Sequence, residues 1–173
     1  MNETFETLRK RRSIRKYKDQ QIPREQLDEI LEAATWAPSG KGLQSAVMVA
    51  VQDRETIAYL SKLNAEVLGN PAADPFYGAP TVVVVLADAR AANWIQDGSL
   101  VLGSLMNAAW SLGLGSCWIN RAREVFDGEE GKELLKKWGL PSYYRGVGHC
   151  ILGYIDGEIP EPKPRKADYI MYV

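Results

Sequence analysis

Histidine is nearly missing from this chain: His149 is the only one in 173 residues. A lone histidine cannot build a multi-histidine metal site or the paired ligands of a HExxH helix, which excludes those routes to metal-assisted hydrolysis. Cysteine is almost as scarce. Cys117 and Cys150 form no CxxC pair, so no redox motif of that type is present, and a reducing cytoplasm is the expected compartment. No GxSxG element occurs, and a Ser/His/Asp triad would have to run through His149, inside the apolar segment from Val147 to Tyr154. That residue reads better as a strand histidine paired to a backbone carbonyl. Long apolar runs are lacking too. Ala46 to Val51 and Val82 to Ala87 fall far short of the ~20 residues a membrane helix needs. The N-terminus begins with mixed charge and no apolar signal-peptide core. Neither sign of charge dominates: Lys and Arg number 21 and Asp and Glu 22, a formal net charge of -1. A whole-surface positive field for nucleic acid is therefore not expected.

What is there is ordinary globular composition, 46% hydrophobic and 25% charged. The length predicts a single domain over 1–173, large enough to bury a core without disulfide or zinc. Thr4 to Arg11 reads as a short helix, and Ser13 to Gln21 as a basic, extended stretch. Behind Pro23, residues Leu27, Ile30, Leu31 and Ala34 recur at i, i+3, i+4 and i+7, which predicts a helix ending before Pro38. Ala37 to Gln44 is a loop of breakers, Ala46 to Val51 a short strand, and Asp53 the cap of a helix running to about Leu68. Thr81 to Leu86 is nearly all valine, the pattern of a central strand buried on both faces. A long, largely buried helix follows from about Ala91 to Leu112 and closes at Gly113. Ser116 to Ile119 is a strand, Glu129 to Trp138 a helix stopped by Gly139 and Pro141, and Gly146 to Ile155 the last strand. The end of the chain, 159–173, opens with Pro160, Pro162 and Pro164 and reads as an extended C-terminal arm. Helices and strands alternate without a regular βαβ beat, which predicts an α+β fold with a mixed central sheet flanked by helices. An arm that leaves the core finds its packing readily on a second copy, so a homodimer is expected from layout alone.

Three segments carry chemical interest. Arg9 to Lys18 holds seven of the 21 basic residues. Such a run can be a solvated arm or a weak polyanion patch. Its mixture of forked guanidinium groups (Arg11, Arg12, Arg15) with the Ser13 hydroxyl also suits one phosphate monoester. Pro38-Ser39-Gly40-Lys41-Gly42 would let a ligand approach the backbone closely. Gly113-Leu-Gly115-Ser-Cys-Trp-Ile119 contains neither GxGxxG nor GxxxxGK, so its glycines read as sites of close packing rather than a phosphate loop. Cys117 within it reads as a small buried strand residue, and the five tryptophans as core or dimer contacts.

In order along the chain these segments resemble the nitroreductase family of FMN-dependent oxidoreductases. The resemblance rests on R-R-S-x-R-x-Y at Arg11 to Tyr17, A-P-S-G-x-x-x-Q at Ala37 to Gln44, F-x-x-A-P at Phe76 to Pro80, G-L-G-S-C-W-I at Gly113 to Ile119, L-G-Y at Leu152 to Tyr154, and the Pro/Lys/Arg tail at Pro162 to Lys166. It implies an intertwined homodimer with FMN at the subunit interface and no metal. NADH or NADPH would donate hydride through flavin N5, in ping-pong fashion, to nitroaromatic, quinone or similar electrophilic small molecules. Nucleic acid and membrane are not implied as partners. Arg11 and Ser13 would lie toward the phosphate or ribityl chain, Arg12 beside the isoalloxazine and ribityl, and Arg15 near N1 and O2, where a fixed cation stabilises the negative charge of reduction. Pro38, Ser39 and Gly40 would reach the flavin from the other subunit, Lys163 and Arg165 would close on the phosphate, and Asn64 falls where short members carry an asparagine at the ring. A backbone N–H at Asn120 or Arg121 would point at N5. No side chain is implied as a catalytic acid or base. The chain departs from many relatives at Gly42 to Ala46, which lacks their asparagine, proline and tryptophan, and has no convincing lid segment. Alternative readings are a flavin-binding or storage module without turnover, and a specialised offshoot such as a dehalogenase.

Overall fold

The computed structural model describes residues 2–173. Its centre is the valine-rich strand. Labelled in chain order, the sheet comprises β1 (Ala46–Val51), β2 (Thr81–Asp88), β3 (Leu114–Ile119) and β4 (Tyr144–Tyr154), arranged β1-β2-β4-β3. All three strand pairings are antiparallel. The α+β architecture is as read, and the expected mix of strand directions comes down to one isolated parallel bridge between Ser13 and Ser116.

The period-2 alternation of β2 explains why valine fills it without interruption. Val82, Val84 and Leu86 point into one core, with Leu60 and Leu63 of α3 (Arg54–Leu68), Phe126 of α5 (Ala122–Asp127) and Leu135 of α6 (Glu129–Lys137). Val83, Val85 and Ala87 point into a second core, with Leu27 and Ile30 of α2 (Arg24–Thr35) and Leu102 and Leu105 of α4 (Trp94–Ser111). A strand covered on both faces has no solvent side to keep polar.

The local signals mostly hold. Asp53 accepts a hydrogen bond from the Thr56 N–H at 2.8 Å and caps α3, which ends at Gly69 with φ 75°. The first helix, α1, is Glu3–Lys10, and Pro23 is the residue before α2 rather than its first. The basic stretch is not a free arm. The Ile14 N–H donates to Ser116 O and the Lys18 N–H to Tyr154 O, each at 2.9 Å, so this segment lies along the β3–β4 side of the sheet. Glycine is required there: a Cβ on Gly115 would sit 2.9 Å from Ile14, and one on Gly153 2.8 Å from Tyr17. From Gly157 onward every residue is exposed, and none of them lies in a helix or strand.

His149 lies on β4, fully buried, with the Phe76 ring centroid at 5.1 Å and that of Phe126 at 6.2 Å. The expected pairing to a backbone carbonyl is not formed. Neither ring nitrogen has a hydrogen-bond partner, although the carbonyls of Ile119 and Asn120 face the ring.

Candidate functional site

The basic segment and the C-terminal arm, about 150 residues apart in sequence, meet in one cleft of about 860 Å³. Arg11, Arg12, Ser13 and Arg15 line one side and Lys163 and Arg165 the other. Six of the ten candidate residues are thereby brought together within one chain. The cleft holds five cationic side chains among these six, and its donors are incompletely used. Arg11 Nη1 and Arg12 Nε are buried without a hydrogen-bond partner, and a buried unsatisfied guanidinium N–H is costly unless an acceptor arrives.

The remaining donors show how the segment is held. Arg12 Nη1 folds back to donate to the carbonyls of Arg9 at 2.8 Å and Arg11 at 2.7 Å. Arg165 Nη2 donates to Lys163 O at 2.6 Å, curling the arm on itself. Tyr17, bridged to Ile155, donates its hydroxyl to Ile14 O at 2.6 Å, and its burial raises the phenol pKa well above the usual tyrosine range. Arg15 is exposed, with its guanidinium 5.9 Å from the centroid of the Tyr77 ring. Tyr77 itself stands at φ 53° in a turn that Asp74 organises by accepting from the N–H groups of Phe76 and Gly78.

Pro38, Ser39 and Gly40 are not among the residues lining this cleft. They begin a separate loop, half-buried or exposed, between α2 and β1. Trp36, just ahead of it, is 79% exposed and not a core residue in the single chain. Asn64, on α3, is fully buried, and its amide is spent internally. Its Nδ2 donates to Asn120 O at 2.8 Å and its Oδ1 accepts from Arg121 Nε at 2.9 Å. It thus supports the turn after β3, where Arg121 has φ 72°. Cys117 and Cys150 are free and buried, and they belong to opposite cores. Among the described residues no group of three His, Cys, Asp or Glu side chains is placed to hold a metal ion, and no helix is long and apolar enough to cross a membrane.

Another groove, of about 400 Å³, lies between α3 and the 71–80 loop. Its charged groups are already paired, Arg54 with Asp19 and Asp74 with Ser61, so it does not compete with the basic cleft as an anion site.

Sequence reasoning missed Asp97, a carboxylate 3% exposed in the first turn of α4. One of its oxygens accepts from the Gly40 N–H at 2.8 Å and the other from the Ser45 hydroxyl at 2.7 Å. Its spacing was the available signal, since Asp97, Val101, Leu105 and Ala109 recur every four residues along the buried stripe of α4.

Comparison with known proteins agrees with this architecture. The family model described as "Nitroreductase family" matches residues 8–154. A protein of Methanothermobacter thermautotrophicus with the provisional name NADH dehydrogenase/NAD(P)H nitroreductase is 32% identical over 157 residues, covering 88% of this chain and 77% of its own. A Bacillus subtilis protein named FMN reductase (NAD(P)H) is 31% identical over 176 residues, covering 89% of this chain and 66% of its own. The crystal structure of a nitroreductase with bound FMN from Bacteroides fragilis superposes with a TM-score of 0.92 at 31% identity, covering 100% of both chains.

Proposed function

The chain belongs to the nitroreductase family, and on that premise we propose that it reduces nitroaromatic, quinone or similar electrophilic small molecules in two-electron steps. It is an oxidoreductase that uses FMN with NAD(P)H, in line with the names of its relatives and the FMN-bound fold it shares. The observation that carries the reading is the cleft in which Arg11 Nη1 and Arg12 Nε are buried without acceptors beside Ser13, Lys163 and Arg165. Several forked donors, one hydroxyl and a flexible ammonium fit a phosphate monoester, the anionic end of FMN.

FMN, when bound, supplies reversible hydride chemistry at one ring atom, so donor and acceptor can use the same site in turn, in ping-pong order. The protein binds and orients. Arg11, Ser13, Lys163 and Arg165 hold the phosphate end. Arg15, beside the Tyr77 ring, would place a positive charge where reduction adds electrons. Asn64 fixes the Asn120–Arg121 turn, whose backbone N–H would face the ring. Pro38, Ser39 and Gly40 complete the site from a second copy in a homodimer, with the C-terminal arm outside the body of the single 1–173 domain. No side chain is assigned as an acid or base.

The test is direct. Purified protein is yellow, elutes as a dimer, releases FMN on denaturation, and bleaches under NADH or NADPH without air until an acceptor restores the colour. A colourless monomer that takes up no FMN overturns the reading. Bound flavin that neither nucleotide reduces converts the protein into a storage module. Arg11→Ala removes one charge-assisted interaction, worth about 1.5–3 kcal/mol, and should weaken FMN binding roughly 10- to 150-fold.

A further inference from the structure

The loop from Pro38 to Ser45 is exposed over most of its length, yet it is tightly specified. Lys41, Gly42 and Gln44 have φ of 56°, 67° and 48°. Two of these carry side chains that disfavour the left-handed region. Such a conformation persists only where its surroundings over-determine it. Within the loop, Ser39 Oγ accepts from the Gln44 N–H at 2.9 Å and the Gly42 N–H donates to Ser39 O at 3.0 Å. Those bonds close the loop on itself but tie it to nothing else.

One backbone bond anchors the loop's far end, the Asp88 N–H donating to Ser45 O at 2.9 Å, and the side chain that ties the loop to α4 is Asp97. Its two oxygens take one donor near each end of the loop, the Gly40 N–H at 2.8 Å and the Ser45 hydroxyl at 2.7 Å. The carboxylate stands on a rigid support, because Val101, Leu102 and Leu105 of the same helix are packed into the core. Asn93, just before α4, backs Gly40 so closely that a Cβ there would lie 2.5 Å from its Nδ2. The loop is therefore gauged against α4, and a buried carboxylate with both oxygens occupied is the gauge.

We propose that Asp97 is a positioning residue of the flavin site: it holds Pro38, Ser39 and Gly40 in the one arrangement that receives the cofactor. This rests on the reading of those three residues as part of that site. Asp97 touches no reacting atom and acts through the loop alone.

Three variants test it: Asp97→Ala, Asp97→Asn and Ser45→Ala. The asparagine can still accept from the Gly40 N–H through Oδ1 and donate to the Ser45 oxygen through its NH₂. Two quantities are measured well below the unfolding temperature. One is the Kd for FMN from flavin fluorescence, and the other is the rate of tryptic cleavage after Lys41 in the FMN-free protein. Asp97→Ala should raise both at least tenfold. Asp97→Asn should stay within threefold of the parent on both, and Ser45→Ala, which keeps the Gly40 anchor, should fall between. Should Asp97→Ala fail to fold, Ser45→Ala decides, with an increase of at least threefold in both expected. A folded variant with faster cleavage and unchanged FMN affinity overturns the proposal, as does weaker binding with an unloosened loop, or an asparagine variant as impaired as the alanine. Arg11→Ala is run in parallel. If it weakens FMN binding while the Asp97 and Ser45 variants do not, the flavin reading stands and the role of Asp97 falls. A parent protein that takes up no FMN removes both.

Discussion

Acidification should destabilise this protein through its single histidine. His149 is fully buried between Phe76 and Phe126, both ring nitrogens lack a partner, and burial lowers its pKa from 6.5 to about 4, with the nearby charge of Arg121 acting in the same direction. The carbonyls of Ile119 and Asn120 favour the protonated ring but do not offset its desolvation. The unfolded chain titrates near 6.5 and the folded chain near 4, so between these values the unfolded state binds more protons and stability falls as pH falls. The contribution is fully present above pH 6.5 and is lost as pH drops through 4. The full difference corresponds to about 3 kcal/mol, and by pH 5 about 2 kcal/mol should already be gone. Urea unfolding of the parent and of His149→Leu at pH 7.5 and pH 5.0 separates this effect from carboxylate titration, which both proteins share. The leucine variant should lose about 2 kcal/mol less than the parent over that interval. It should not be severely destabilised at pH 7.5, since the two unpartnered nitrogens leave with the ring. Parallel pH profiles would show that the folded protein accommodates the imidazolium, and the account of a neutral, desolvated ring would fail.

Two further outcomes can be measured on purified protein. Gly146→Ala should cost about 3 kcal/mol or more, because its Cβ would collide with Ala122 O, a backbone atom that can yield only if α5 shifts; urea unfolding that moves by less than ~1 kcal/mol contradicts the packing described. Arg15→Gln should lower the two-electron flavin potential. A unit charge at 4 Å is worth about 1 kcal/mol in water and about 4 kcal/mol at an effective dielectric of 20, or roughly 20–90 mV for a two-electron couple, and an unchanged potential with FMN fully bound removes Arg15 from the role given to it.

The fold was legible where the cause was local. Asp53 caps α3 and Gly69 ends it with the geometry their residue types favour. The valines of β2 read as buried because no polar residue interrupts them. Gly115 read as a packing glycine, and the close approach of Ile14 is the reason. Where the cause was tertiary, the sequence was silent. α5 spans only Ala122–Asp127, too short for a helical period to emerge, and the chain enters it through Arg121 in a left-handed conformation that an arginine does not announce. Strand direction is likewise set by how connections pack, not by strand composition.

The site shows the same division more sharply. Dense charge drew attention to Arg9 to Lys18, yet a basic run is equally compatible with a solvated arm. What separates the two is the burial of Arg11 Nη1 and Arg12 Nε opposite a distant tail, a tertiary fact. Asn64 was singled out by position, but the direction of its amide could not be read, and it serves Asn120 and Arg121. Asp97 was passed over although its signal is the stronger in physical terms. A cluster of exposed charges costs little to maintain and specifies little, whereas one carboxylate in the buried stripe of a helix persists only if donors meet both oxygens. Those donors must come from somewhere, and a loop rich in glycine and serine immediately preceding β1 is an obvious source of N–H and O–H groups. A lone acid in an apolar helical stripe is therefore a sequence-level pointer to the loop it holds, and in this chain that loop carries Pro38, Ser39 and Gly40.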